Sequence, residues 1–286
     1  MSADRLWIVG AGRLGLALGL TLHRSGAVAS LAYTGRRPDP PDHPLFRGGA
    51  TYSADLQAPA DDLTGIVLAV PDGAIPGVAA ALAGLPPGIP VLHASGALSV
   101  DALAPLAARG HPVGGLHALA AVADPVAGAE RLRGATFGVE GEGEARSLAL
   151  RIVEGCGGRA LAVPSEGKPL YHAAAVFAAN YAVALLGVAE RLMGEAGVPP
   201  EEARAALAGL ASGAVENVAL RGPAAALTGP VARGDAETVR LHLGRLSGAD
   251  RPLYSLLARE ALALARDAGL PPEAAARVAA VLDERA

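Results

Sequence analysis

Residues Trp7 to Gly15 read WIVGAGRLG, a short apolar run that breaks at glycines and resumes as the apolar, helix-forming stretch LALGLTLHRSG. This order predicts a strand, a tight turn and a helix, the opening of a dinucleotide-binding fold. Each glycine has its own task. Gly10 makes the turn, Gly12 lets backbone amides approach a pyrophosphate, and Gly15 lets the helix pack closely on the strand. The anion would sit at the positive N-terminal end of the helix, held by the stretch Gly10, Ala11, Gly12, Arg13, Leu14 and Gly15. A lone glycine motif is a weak signal in a chain with 37 glycines. Here strand, helix and N-terminal placement agree.

The second predicted strand, Val28 to Tyr33, ends at Thr34-Gly35-Arg36-Arg37. At this place an NAD-selective fold carries an acid for the ribose 2′-hydroxyl, whereas a 2′-phosphate needs a cation and no nearby carboxylate. Thr34, Arg36 and Arg37, with no acid before Asp39, favour NADP. The pattern continues with strands at Gly65 to Val70, Pro90 to Ala94, Pro112 to Leu119, Thr136 to Glu140 and Arg159 to Val163. Helices are expected at about Ala74 to Ala83, Ser99 to Arg109 and Gly143 to Cys156. Alternation of this kind predicts an α/β fold, a Rossmann-type, doubly wound and mostly parallel sheet whose ligands lie at the carboxyl ends of the strands. Val70, Pro71, Asp72, His93, Ser95 and His117 fall at or near those ends. Of these, Val70, Pro71 and Ser95 are expected beside the cofactor, and His93 and His117 beside the substrate.

From Ser165 onward no strand pattern is visible, and alanine-leucine segments are punctuated by Gly-Pro and Pro-Pro pairs. The expected division is a dinucleotide-binding domain over 1–164 and an all-α domain over 165–286 that supplies substrate and dimer contacts. Ser165, Pro199, Asp235 and Pro271 are candidate helix starts. The first helix of this part carries the polar set Lys168, His172 and Asn180 on an apolar background. Lys168 and His172 are four apart and share a face, while Asn180 is rotated from His172 by roughly 80°. Reduction of a carbonyl leaves an alkoxide that needs a proton, so Lys168 is the candidate acid, His172 a candidate relay or orienter, and Asn180 a carbonyl or carboxylate binder. Arg233, in LTGPVARGD, is either an anion binder or half of an ion pair with Asp235 or Glu237.

Composition excludes other classes. A formal net charge of -4 and no basic stripe argue against nucleic acid. The single cysteine, Cys156, suits buried packing in a reducing compartment. The chain opens into its first strand with no basic leader, so a cytoplasmic protein is expected. Pro169 to Ala189 has no Asp, Glu, Lys or Arg and approaches the length of a bilayer span, yet His172, Asn180 and two tyrosines interrupt it. A helix buried in an assembly accounts for it better than a membrane. His93 and His117 have no ligand partners at metal spacing, so no metal is expected. Ser95 in HASGA lacks the nucleophile-elbow pattern, which disfavours a hydrolase.

Taken together, GAGRLG, VPDGAI, HASGAL, GLHALA, KPLYHAAAVFAANY and LTGPVARGD resemble a bacterial family that pairs a Rossmann-like domain with a C-terminal domain of unknown function. That family is related to 6-phosphogluconate dehydrogenase, ketopantoate reductase and pyrroline-5-carboxylate reductase. The resemblance spans nearly the whole chain. It implies a catalytic lysine on the first helix after the Rossmann domain, the position of Lys168, and a homodimer formed through the helical domain. Where the related enzymes carry asparagines after the lysine, this chain has His172 and Val176, and Ala118 replaces the proline that tends to follow the GLH histidine. The expected activity is NADP-dependent reduction of a small 2-keto or β-keto acid, as in ketopantoate reductase. A cyclic-imine reductase is the alternative, and a non-catalytic NADP-binding sensor or scaffold is a third reading.

Overall fold

In the computed structural model, which describes residues 3–59 and 62–284, the chain divides into two compact units, 1–180 and 181–286. The first contains β1 (Asp4–Val9), α1 (Arg13–Ser25), β2 (Val28–Thr34), α2 (Pro44–Arg47), β3 (Thr51–Ser53), β4 (Gly65–Leu68) and α3 (Ile75–Leu82). These are followed by β5 (Val91–His93), α4 (Ala104–Ala107), β6 (Val113–Ala118), α5 (Pro125–Leu132), β7 (Thr136–Gly141), α6 (Gly143–Gly155), β8 (Arg159–Ala162) and α7 (Lys168–Val176). The strands form one eight-stranded sheet in the order β3-β2-β1-β4-β5-β6-β7-β8. β1 pairs in parallel with both β2 and β4, so the chain winds outward in two directions from the centre and leaves a crevice at the carboxyl ends of β1 and β4.

The central strands are apolar runs because helices cover both faces. Leu6, Ile8, Val67 and Leu92 point into one core with α1 and α6, while Trp7, Val9, Ile66, Leu68 and Val91 point into the other with α3. Trp7 stays buried because its indole N–H donates to Thr34 Oγ1 at 3.0 Å. Cys156 is buried in the first core, and burial pushes its thiol up to about 12. It is a packing residue.

Three features depart from the sequence expectation. The β6–β7 pair is antiparallel. α5 lies between them in the chain but packs on α1, where Thr21 Oγ1 donates to Ala129 O at 2.9 Å, so it does not form the parallel crossover that alternation implied. The helix expected over Ser99 to Arg109 is a 3₁₀ turn, Val100–Leu103, followed by the single turn α4. Pro105 lacks the N–H that would continue one helix through the junction. Finally, the first unit runs past Pro164 to Asn180, because α7 sends Lys168 and Tyr171 into the sheet.

The second unit contains α8 (Ala182–Glu195), α9 (Pro200–Arg221), α10 (Pro223–Ala226), α11 (Gly229–Ala232), α12 (Ala236–Leu243), α13 (Asp250–Asp267) and α14 (Pro272–Asp283). Asp235 caps α12 by accepting from the Thr238 amide at 3.1 Å, and α9 and α14 begin at prolines after Pro199 and Pro271, as the sequence predicts. Its core is small and is made of Val239, Leu243, Leu262, Val278, Val281 and Leu282. α8 packs on α9, yet α8 has no buried residue and α9 only Ala203. Val183, Leu210 and Leu220 are 70, 72 and 81% exposed.

Ser165–Glu195 is one helical run long and apolar enough, by composition alone, to cross a bilayer. Its first part is occupied otherwise: Lys168 and Tyr171 are hydrogen-bonded to residues of the α/β unit.

Candidate functional site

The turn after β1 has the geometry its glycines require. Gly10 has φ +122°, and a Cβ there would meet Ala69 O at 2.3 Å; a Cβ on Gly15 would meet Gly10 O at 2.1 Å. No L side chain fits at either position. Gly12, in contrast, faces open space, with nothing within 4 Å of where a Cβ would stand. It is the residue before α1, whose first turn holds no acid and whose N-terminus has no side-chain cap. Free amides, an exposed Arg13 and a clear approach at the carboxyl end of β1 form a cradle that fits a diphosphate. At the end of β2, Arg36 and Arg37 are exposed, and among the described residues neither guanidinium has a hydrogen-bond or ion-pair partner. They are available to a 2′-phosphate. Thr34 is not: its hydroxyl accepts from Trp7 and it is buried, which makes it a support for the turn. Val70 and the exposed Pro71 follow β4 beside this crevice.

The second polar group is assembled where β5, β6 and β7 meet α7. The pairing registers His93↔Gly115 and Gly115↔Glu140 align a histidine, a glycine and a carboxylate across three strands. A Cβ on Gly115 would come within 3.2 Å of Glu140 Oε2 and 3.4 Å of His93 Nε2, so glycine clears the space between them. Lys168 Nζ enters from the start of α7, donates to Ser95 O at 3.1 Å and lies 3.5 Å from Glu140 Oε2. Glu140 Oε1 accepts from the Val100 amide at 3.1 Å and from Ser165 Oγ at 2.6 Å. Ser165 therefore fastens Glu140 instead of capping a helix. Burial pulls the Lys168 ammonium below its usual range, and the Glu140 charge opposes that pull.

The structure places Lys168 in the interior: the side chain is 2% exposed and its ammonium faces the Ser95 carbonyl and Glu140. His93 is likewise buried beneath the turn and accepts the Ser95 amide on Nδ1 at 3.2 Å. Burial, aided by the Lys168 charge, lowers it to about 4 and keeps it neutral. The Ser95 hydroxyl accepts from the amides of Ala97 and Leu98 at 3.1 and 3.0 Å, which makes it a turn-forming group. His93 and Ser95 shape the site from behind.

The groups that reach the front are His117, Tyr171 and His172. His117 Nδ1 shares a hydrogen bond of 2.8 Å with Tyr171 OH, and the His117 and His172 rings have centroids 5.8 Å apart. A Cβ on Gly96 would lie 2.5 Å from His172 Nδ1 and 2.8 Å from His117 Nε2, so both imidazoles converge on the side of Gly96 where a Cβ would stand. Burial, then the charges of His172 and Lys168, lowers His117 to about 4; burial pushes the Tyr171 phenol up to about 12. At neutral pH the pair is an uncharged imidazole and a protonated phenol. Asp72, following β4, is near enough for its carboxylate to act on Lys168, His93 and His117.

Two expected residues are elsewhere. Asn180 is exposed within a π-helical turn, Phe177–Tyr181, which changes the register that its predicted face assumed. Arg233 is exposed in the second unit, where its charge acts on Asp235 without a close ion pair among the described residues. Sequence reasoning missed Glu140 and Tyr171. Tyr171 sits in the noticed KPLYH segment, one residue before His172. Glu140 carries no local signal, because its meaning comes from pairing across the sheet.

Comparison with known proteins agrees with this architecture. Residues 2–118 match the Rossmann-like domain family, and residues 135–261 match a domain of unknown function, DUF2520. No curated protein matches the sequence. Among solved structures, a protein from Thermotoga maritima is 24% identical, with 92% of this chain and 98% of that one covered and a TM-score of 0.71. A candidate NADP oxidoreductase from Bacteroides fragilis is 19% identical over 91% of this chain and 98% of its own, at a TM-score of 0.73. A pyrroline-5-carboxylate reductase from Coxiella burnetii is 16% identical over 99% of this chain and 100% of its own, at 0.62. These likenesses establish the shared fold.

Proposed function

We propose that this chain, which joins a Rossmann-like domain to a DUF2520 domain, is a cytoplasmic NADP-dependent oxidoreductase that reduces the carbonyl of a small 2-keto or β-keto acid. One observation carries the reading: Gly10 and Gly15 are packed against backbone while Gly12 stands open at the uncapped start of α1. Arg36 and Arg37 support NADP over NAD, and the name of the similar Bacteroides protein, a candidate NADP oxidoreductase, points the same way, whereas the name of the Coxiella protein points to the reduction of a cyclic imine. NADPH, when bound, supplies a hydride.

The protein's own groups then manage the oxygen. With Tyr171 OH donating to His117 Nδ1, the imidazole carries its proton on Nε2, the nitrogen beside Gly96. A neutral imidazole in that tautomer donates to a substrate oxygen, and the phenol behind it replaces the proton. His172, half-buried and with no hydrogen-bond partner on Nδ1 among the described residues, orients the substrate. The cyclic-imine alternative is favoured by the likeness to a pyrroline-5-carboxylate reductase and by the Asp72 carboxylate, which would stabilise a cationic iminium. The exposed apolar side chains of α8 and α9 belong to an interface with a second copy, since apolar side chains left this exposed are stabilised when covered.

The test is NADPH oxidation with ketopantoate, other 2-keto acids, β-keto acids and pyrroline-5-carboxylate, with NADH in parallel. Turnover of a keto acid with NADPH supports the reading. Turnover only of the cyclic imine selects the alternative, and tight NADPH binding with no turnover on any of them selects a sensor or scaffold.

A further inference from the structure

We infer that the Gly96 amide is the oxyanion-stabilising donor for the substrate carbonyl, and that Lys168 polarises it through the Ser95–Gly96 peptide while Glu140 keeps Lys168 charged. The inference rests on the oxidoreductase reading above and assigns a place for the reacting oxygen.

The turn 93–98 distributes its amides unevenly. Ser95 N donates to His93 Nδ1, and Ala97 N and Leu98 N donate to Ser95 Oγ. Gly96, although buried, has no acceptor for its amide among the described residues. A buried amide without a partner is costly, and sites where one persists are commonly those where a ligand supplies the acceptor. The direction of this amide follows from planarity. In a trans peptide the C=O and N–H point to opposite sides, and Ser95 O points at Lys168 Nζ, 3.1 Å away in the interior. The Gly96 N–H therefore points away from Lys168, and His117 Nε2 and His172 Nδ1 lie beside the same residue, at the place a Cβ would take.

A cation hydrogen-bonded to the carbonyl draws electron density from the peptide nitrogen and makes its N–H a stronger donor. A lysine buried to this degree keeps its charge only with a counter-ion. Glu140 provides one, itself fixed by the Val100 amide and Ser165. In the reaction the carbonyl carbon accepts hydride and its π pair passes to oxygen. The oxyanion is held by Gly96 N–H and takes the His117 Nε2 proton. His117 recovers a proton at Nδ1 from Tyr171; after product release water protonates Nε2 and Nδ1 returns its proton to the phenolate, which restores the starting tautomer. Lys168 and Glu140 transfer no proton; they are positioning residues.

Arginine separates this role from acid catalysis, because a guanidinium keeps its charge and does not release a proton at any pH the protein tolerates. Turnover of the keto acid found in the panel is to be compared in wild type, Lys168→Met, Lys168→Arg and Glu140→Gln. In parallel, protein labelled with ¹³C-carbonyl serine and ¹⁵N glycine shows only the Ser–Gly pairs 25–26, 95–96, 212–213 and 247–248. The inference predicts an upfield shift of the 95–96 amide proton in Lys168→Met and a kcat lower by about 100-fold with little change in KM, the scale of a weakened oxyanion donor. Lys168→Arg keeps the resonance and retains activity within about tenfold of wild type. An unmoved resonance in Lys168→Met, or an arginine variant that keeps the resonance but is as inactive as methionine, overturns the inference. If the arginine variant does not fold, Glu140→Gln decides: its 95–96 amide moves upfield on raising the pH as Lys168 deprotonates, and a flat response contradicts the inference. The resonance arm needs no cofactor, so a failure of the oxidoreductase reading, seen as absence of NADPH binding by wild type, is distinguishable.

Discussion

The two compact units place their apolar side chains in opposite ways. In 1–180 every central strand is sealed between helices, and the polar groups that enter the interior, Lys168, Glu140 and the Trp7 indole, reach partners within the same unit. In 181–286 the core is confined to α11–α14, and the longest helix, α9, exposes leucine and valine along its length. The first unit buries its apolar side chains within the single chain, whereas the second leaves many of its own exposed.

The sharpest way to break this contrast is to charge the apolar face. Leu210→Glu combined with Leu220→Glu should dissociate or precipitate the protein in light scattering, weakening association at least about 1,000-fold because carboxylates would be buried unpaired. The same change at Leu150, exposed on α6 of the first unit, should leave the oligomer unaltered. Equal behaviour of the two variants would remove the distinction.

Within the first unit, Gly96→Ala should lower kcat by about 100-fold while NADPH binding is retained, because the new methyl displaces His117 and His172 from their convergence point. Steady-state kinetics with a separate cofactor titration would show it. Arg36→Glu or Arg37→Glu should reduce preference for NADPH over NADH by about tenfold each, the scale of one lost charge-assisted hydrogen bond. Competitive titration of the two nucleotides measures this, and an unchanged ratio would mean the arginines are only solvated.

A separate consequence, read in stability and not in activity, is a pH dependence. His93 and His117 are held at about 4 in the folded chain, against the 6.5 of a solvated histidine. Between those values the unfolded chain binds more protons, so stability falls as pH drops from 6.5 toward 4 and is level above that window. Trp7, buried in β1, is the only tryptophan and reports on this unit. Its urea midpoint should be lower at about pH 5 than at about pH 7.

What is legible in the sequence follows from how local each signal is. Gly10, Gly12 and Gly15 announce a turn whose physics is contained in one short segment, and the strands of the buried sheet show as apolar runs. The antiparallel β7 is not legible, because it depends on α5 packing against α1 and not against the sheet between its neighbours. Glu140 depends on that pairing in turn. Lys168 is found by position but not by direction: an amphipathic-helix reading locates a face, and only the three-dimensional turn at Ser95 shows that this face is turned inward. The 3₁₀ turn and the single-turn helix around Pro105 read as one helix, because proline at a helix start and proline between two helices look alike in sequence.

Cofactor binding depends on the amides at the start of α1 holding the diphosphate. Calorimetric titration of wild type and Gly12→Glu with NADPH and NADH tests it directly. The prediction is NADPH binding at least about tenfold tighter than NADH in wild type, consistent with a bound 2′-phosphate, and loss of both in Gly12→Glu, where a carboxylate occupies the anion's place. Failure of wild type to bind either nucleotide, or undiminished binding by Gly12→Glu, would contradict it.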